Sequence, residues 1–289
     1  LMQQCAHFLQ LGADGFRLDA AADVPLGLLR LLRATAHAVK PTALLLGEIT
    51  TDNVARFTVD ALDCATDFSH QQLLQAWLVE KTLCGQQVGA QLQRRAWLQG
   101  PAQTSLVFTA THDQPRLLSR ISDVRKVRLA HLMTLLSEHI PAIYYGDEIG
   151  LHSDQPGRNF EDAWPDRMPM SWDRADWDLQ TLALFKQALQ LRHQWQALRT
   201  GDCDFLPTPQ TPQALVLRRH QGEQVLELYA YGDDQSCQLE LHPDAPSGCT
   251  PLLTLGDVQL DERSQQLRLG AYSAVLVQRH ATAPVQQRL

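Results

Sequence analysis

Five apolar runs, near residues 14–19, 43–49, 62–68, 105–110 and 141–145, alternate with stretches whose apolar residues recur at helical spacing. In most of the runs the apolar residues are consecutive, as in 43–46, 106–108 and 141–145. A strand with one face in water alternates apolar and polar residues, whereas a strand covered on both faces does not. The chain therefore reads as a parallel sheet covered by helices.

Polar residues gather where the runs end: Asp19, Glu48, His112, Asp113 and Asp147. In a β/α barrel, the C-terminal ends of the strands carry the catalytic groups. An open doubly wound sheet has the same rhythm, but no Gly-rich phosphate loop supports a nucleotide fold. Arg17 and Asp19 are two positions apart and so point to the same side of their strand. Two charges side by side on a covered strand are costly unless they serve each other or a ligand. An Asp at a strand end is also a common helix N-cap. The grouping of Arg17 and Asp19 with Glu48 and Asp113 at equivalent strand ends favours a site instead. Asp147 and Glu148 read as structural or as support behind the residues of a site, and Tyr144 and Tyr145 fit either the core or the floor of a site.

Helices are expected over 2–11 (Cys5, Phe8 and Leu9 on one face, stopped by Gly12), from an Asp23 cap to Lys40, and over 52–61, 70–80, 86–98, 123–138 and 178–198. The connection 151–173 is rich in Pro, Asp and Trp, and a loop this long usually carries function. Trp164 and Trp172 could stack on the flat face of a ligand ring or pack in the core. Beyond residue 203 the texture changes to short strands at 215–219, 225–231, 238–242, 266–269 and 274–278, separated by turns. That predicts a first domain over 1–203 and a small antiparallel β domain over 204–289.

The formal net charge is -7 and no basic stripe is present, so nucleic acid is not expected as a partner. No apolar run approaches the roughly 20 residues that span a bilayer, so no membrane partner is expected either. The six cysteines are scattered without a C-x-x-C pair or metal-ligand spacing, which points to reduced thiols and a cytoplasmic protein. No cofactor or metal set is visible, and the oligomeric state is left open. The chain opens on Leu1-Met2 and runs straight into an amphipathic segment, which reads as a piece of a longer chain.

Gly15-Phe-Arg-Leu-Asp-Ala20, Gly47-Glu48-Ile49 and Thr111-His-Asp113 resemble, in order, three of the four signature regions of the α-amylase family of glycoside hydrolases. Ile140-Pro-Ala-Ile-Tyr-Tyr-Gly-Asp-Glu-Ile-Gly150 resembles that family's eighth strand and the loop after it. Arg167-Met-Pro-Met-Ser-Trp-Asp173, Leu191-Arg-His-Gln-Trp-Gln-Ala-Leu198 and Leu267-Arg-Leu-Gly-Ala-Tyr-Ser-Ala274 resemble its final helix and C-terminal β domain. The resemblance implies a (β/α)8 TIM barrel lacking its first three strands, followed by an all-β domain. It implies a retaining hydrolase of α-glucans or malto-oligosaccharides, with Asp19 as nucleophile, Glu48 as general acid and then base, and Asp113 as the third carboxylate. Arg17 would favour the charged form of Asp19, the Asp19 charge would help Glu48 keep its proton, and His112 would bind the sugar. Ala22-Asp23 stand where the family often has Lys-His, which leans toward α-glucosidase, maltogenic or neopullulanase-like members. A transglycosylase or isomerase of the trehalose synthase kind would use the same residues, and an inactive sugar-binding scaffold would not need three carboxylates. A structural calcium, if the full protein holds one, would draw on the part before Leu1, and the chain alone would be inactive.

Overall fold

The computed structural model describes residues 1–51, 53–99, 104–153, 165–242, 248–261 and 263–280. It separates into two compact units, Leu1–Gln72 with Arg94–Val107, and Leu73–Gln93 with Phe108–Leu289. The elements run α1 (Met2–Gln10), β1 (Gly15–Leu18), α2 (Leu26–Val39), β2 (Leu44–Gly47), α3 (Ala55–Thr58), β3 (Cys64–Thr66), α4 (Phe68–Leu78), α5 (Gly85–Gln99) and β4 (Thr104–Val107).

In the first unit β1, β2, β3 and β4 pair in that order, all parallel. Its core joins Cys5 and Leu9 of α1 to Leu29, Leu32 and Ala36 of α2, with Leu45, Ile49, Phe57 and Leu62. Gly12, at φ 109°, ends α1 in a backbone conformation that side chains resist. Three details differ from the sequence reading. Phe8 is exposed, because only Cys5 and Leu9 of α1 turn inward. Asp23 does not cap α2; it lies in a short 3-10 turn, and Pro25 occupies the cap. β1 is half-exposed rather than covered on both faces.

The second unit continues with α6 (Leu117–Arg120), α7 (Val124–Leu135), β5 (Ile140–Pro141), α8 (Leu179–Gln194) and α9 (Ala197–Thr200). Asp123 caps α7, and Asp178 caps α8 while its carboxylate also takes the Arg128 guanidinium at 2.7 Å. Arg192 donates to the carbonyls of Leu135, Ser137, His139 and Leu198, so one side chain satisfies the last carbonyl of α7, two in the segment after it and one in α9. The strand expected at 141–145 shrinks to Ile140–Pro141: proline has no amide to pair, and Gly146 at φ 87° turns the chain away.

Among the described residues eight antiparallel strands follow: β6 (Asp202–Leu206), β7 (Ala214–Gln221), β8 (Gln224–Tyr231), β9 (Cys237–Glu240), β10 (Gly248–Leu255), β11 (Val258–Asp261), β12 (Gln266–Leu269) and β13 (Ser273–His280). They form a five-stranded sheet, β10-β13-β8-β7-β6, and a three-stranded one, β11-β12-β9. Val216, Tyr229, Leu239, Leu267, Val275 and Val277 belong to one shared core of the two sheets.

Candidate active site

In the first unit, β1 and β2 are adjacent and Leu18 stands opposite Gly47, so Asp19 and Glu48 leave neighbouring strands side by side. The Glu48 amide donates to Leu18 O at 2.9 Å, and the Ala21 amide donates to Glu48 O at 3.0 Å, which knits the two strand ends beyond the sheet. Arg17 bridges the carboxylates. Its Nη1 pairs with Asp19 Oδ1 and its Nη2 lies 3.1 Å from Glu48 Oε2. Between them Ala20 adopts a left-handed backbone, φ 42° and ψ 42°, and its amide donates to the same Glu48 Oε2 at 3.1 Å. The Asp19 side chain is 80% exposed and that of Glu48 15%. One carboxylate is thus open to an incoming ligand, and the other is largely enclosed with two donors on one oxygen. Thr66 steadies the next residue, its hydroxyl accepting from Ile49 N at 2.9 Å.

In the second unit, the loop after β4 carries His112 and Asp113. His112 Nε2 lies 3.1 Å from Asp113 Oδ2, and the Asp113 amide donates to Thr111 Oγ1 at 3.2 Å. Arg167 reaches the same loop, Nε donating to His112 O at 2.6 Å and Nη2 to Asp113 Oδ1 at 2.7 Å. Beneath the loop Arg116 is wholly buried and pairs through Nη1 with Asp147 Oδ1 at 2.8 Å. Its guanidinium carbon lies 4.1 Å from the Tyr144 ring centre and 4.7 Å from that of Tyr145. Thr109 Oγ1 donates to Asp147 Oδ2 at 3.4 Å and lies 3.1 Å from His131 Nδ1. With the hydroxyl proton directed at Asp147, His131 must donate from Nδ1. Burial pushes the Asp147 carboxyl up to about 7, against the pull of Arg116, and pushes the His131 imidazole down to about 4.

The structure thus groups Arg17, Asp19 and Glu48 in one unit, and His112 and Asp113 in the other. Sequence reasoning did not single out Arg116 or Arg167 as site residues. Arg167 stands in a segment already quoted for its resemblance, which was the available signal. Nothing local distinguishes Arg116 from a surface cation. Tyr144 and Tyr145 are neither simple core nor an open floor: they pack on Arg116. Trp172 is 79% exposed, so it is not a core residue, and Trp164 lies outside the described residues. Among the described residues no helix is long and apolar enough to cross a membrane, and no three His, Cys, Asp or Glu are grouped to hold a metal ion.

Comparisons with known proteins agree on the lineage. A cyclomaltodextrinase from Geobacillus thermopakistaniensis (strain MAS1) is 28% identical over 235 residues, 80% of this chain and 39% of that protein. Neopullulanase 2 from Thermoactinomyces vulgaris is 28% identical over 205 residues, 70% of this chain and 34% of that one. The chain therefore spans about two-fifths or less of the length of these curated relatives. Among solved structures, the cyclic alpha-maltosyl-(1→6)-maltose hydrolase from Arthrobacter globiformis superposes with a TM-score of 0.81 at 18% identity, covering 96% of this chain and 59% of that chain. An alpha-amylase from H.orenii gives 0.79 at 19%, covering 96% and 63%. These likenesses show a fold of the TIM-barrel type with a C-terminal β domain. The family described as alpha amylase, catalytic domain, matches residues 1–178, and the chain belongs to it.

Proposed function

We propose that this chain provides catalytic machinery for a retaining glycoside hydrolase acting on α-glucosidic bonds of α-glucans or malto-oligosaccharides, and that its parallel strands correspond to strands four to eight of an eight-stranded barrel. The observation that carries the reading is Arg17, whose one guanidinium contacts both Asp19 and Glu48 at the ends of adjacent parallel strands. Retaining hydrolysis needs two carboxyl groups about 5–5.5 Å apart, one to attack the anomeric carbon and one to protonate the leaving oxygen. Two carboxylates on opposite nitrogens of one guanidinium suit that requirement.

Exposure divides the roles. Asp19, open to solvent and held by a cation, is the nucleophile that forms a covalent glycosyl-enzyme. Glu48, enclosed, is the general acid for leaving-group departure and the general base for the attacking water. Asp113 and His112 take the contacts to sugar hydroxyls that the Thr-His-Asp motif implies. Arg17 keeps the two carboxylates in register and supplies positive charge next to the nucleophile.

The test is chemical trapping. A 5-fluoro-α-glucosyl fluoride incubated with the complete native protein should leave a glycosyl adduct on the peptide containing Asp19, read by mass spectrometry. An adduct on a different carboxylate, or hydrolysis of malto-oligosaccharides with inversion at the anomeric carbon, would overturn the assignment.

A further inference from the structure

We propose that Asp147 is a positioning residue, a buried clasp that closes both ends of the loop presenting His112 and Asp113. The roles of His112 and Asp113 rest on the function proposed above, but the clasp itself rests on geometry alone.

One carboxylate receives both ends of the loop. On the entering side Thr109 directs its hydroxyl to Oδ2, and on the leaving side Arg116 places Nη1 on Oδ1. Residues 110–115 are the span between those anchors, and His112 and Asp113 stand in its middle. Asp147 is itself fixed. Its amide donates to Tyr144 O at 3.1 Å, Gly146 before it takes a left-handed turn, and the side chain is 6% exposed. Arg116 cannot swing away, because its side chain is 1% exposed and its guanidinium is packed against two tyrosine rings.

Among the described residues the Arg116 guanidinium hydrogen-bonds only to Asp147, and that bond is the one that fastens the loop. Ion pairs of this kind add little net stability compared with apolar residues of similar size. What the pair does contribute is a single position for residues 110–115, and a catalytic carboxylate displaced by about 1 Å can lose on the order of 100-fold in rate.

The double replacement Arg116→Met with Asp147→Leu removes both charges together and leaves no uncompensated ion, so the fold can persist while the clasp is lost. In the complete native protein, amide hydrogen exchange at residues 111–114 should then accelerate at least about 10-fold, with thermal melting little changed. If the function proposed above holds, kcat on malto-oligosaccharides should fall by about 100-fold while KM moves much less. Arg116→Lys keeps one charge-assisted bond and should fall between the parent and the double variant in both readouts, also serving where the double variant fails to fold. Unchanged exchange at 111–114 in either folded variant overturns the clasp. A parent protein inert toward every α-glucan defeats the functional reading instead, and leaves the exchange experiment to decide the clasp.

Discussion

Around Asp19 and Glu48 the support is mostly backbone. Two adjacent parallel strands end in register, the Glu48 and Ala21 amides bond across them, and a left-handed alanine turns its own amide onto Glu48. Around Asp113 the support is mostly side chains: a buried ion pair, two tyrosine rings, a threonine and a histidine below, and Arg167 across the loop itself. Sheet register is shared over many residues and is hard to disturb by one substitution. A side-chain network under a loop concentrates the same task in a few atoms. Single substitutions at the first region should therefore change chemistry with little change in stability, whereas single substitutions beneath the second, which leave a buried charge unpaired, should change both.

The largest expected effect tests the first half of that contrast. Asp19→Asn keeps the shape of the side chain and removes the proposed nucleophile, so under the proposed function turnover of α-glucosides by the complete protein should fall by on the order of 10,000-fold or more. Asp19 is mostly exposed, and the melting temperature should stay within about 1–2 °C of the parent, as expected for a surface change. A large drop in melting temperature would show that Asp19 braces the strand ends, and the contrast between the regions would fail.

The next effect tests the second half. Asp147→Asn leaves the Arg116 guanidinium buried without its counter-charge, and breaking a buried pair in this way costs about 3–5 kcal/mol. The measurement belongs at pH 8, above the value near 7 to which burial raises the Asp147 carboxyl, so that the parent pair is ionised. Urea unfolding that differs by less than about 1 kcal/mol would mean that the loop does not depend on this carboxylate.

A third effect comes from His131, which is wholly buried and packs edge-on against Phe185 with ring centres 5.0 Å apart. Its imidazole is pushed down from 6.5 to about 4, while the unfolded chain titrates near 6.5. Between these values the unfolded state binds more protons. The contribution is therefore complete above pH 6.5 and is lost as the pH falls toward 4. A shift of that size corresponds to about 3 kcal/mol. His131→Asn should remove this part of the acid limb, so the parent-minus-variant stability difference shrinks from pH 7 to pH 4. A difference independent of pH would place the histidine's proton elsewhere.

What could be read in the sequence follows the same division. The strand-end carboxylates were legible because local pattern places them: a continuous apolar run sets the strand, and its end sets the site. The supports beneath Asp113 were not. Arg116 looks like a surface cation until the fold buries it, Arg192 until it meets the carbonyls it bonds, and only tertiary contacts reveal Asp147 as a shared acceptor for residues 109 and 116. In the β region, β10 escaped notice because Pro251 interrupts it, and the structure accommodates that proline on an edge strand with a register shift beside it. β6 and β11 are short, and their patterning alone does not distinguish them from loop.

The smallest expected effect sharpens the account of the first region. Ala20 sits between Asp19 and the 3-10 turn at φ 42°, where a side chain costs about 1–2 kcal/mol relative to the right-handed region and glycine costs almost nothing. Ala20→Gly relieves that strain in the folded state but frees the unfolded chain, which offsets roughly 0.4–1 kcal/mol. The net should be a stabilisation of about 0.5 kcal/mol, visible as a small rise in the urea midpoint. The rate should move the other way. The strained turn is what directs the Ala20 amide to Glu48 Oε2 at 3.1 Å, and a glycine samples conformations in which that donor points elsewhere. A several-fold loss of kcat together with a gain in stability would show that the backbone holds Glu48 through local strain. Loss of stability with unchanged kcat would mean that the left-handed turn is a by-product of the strand ends, and that Arg17 alone sets the position of Glu48.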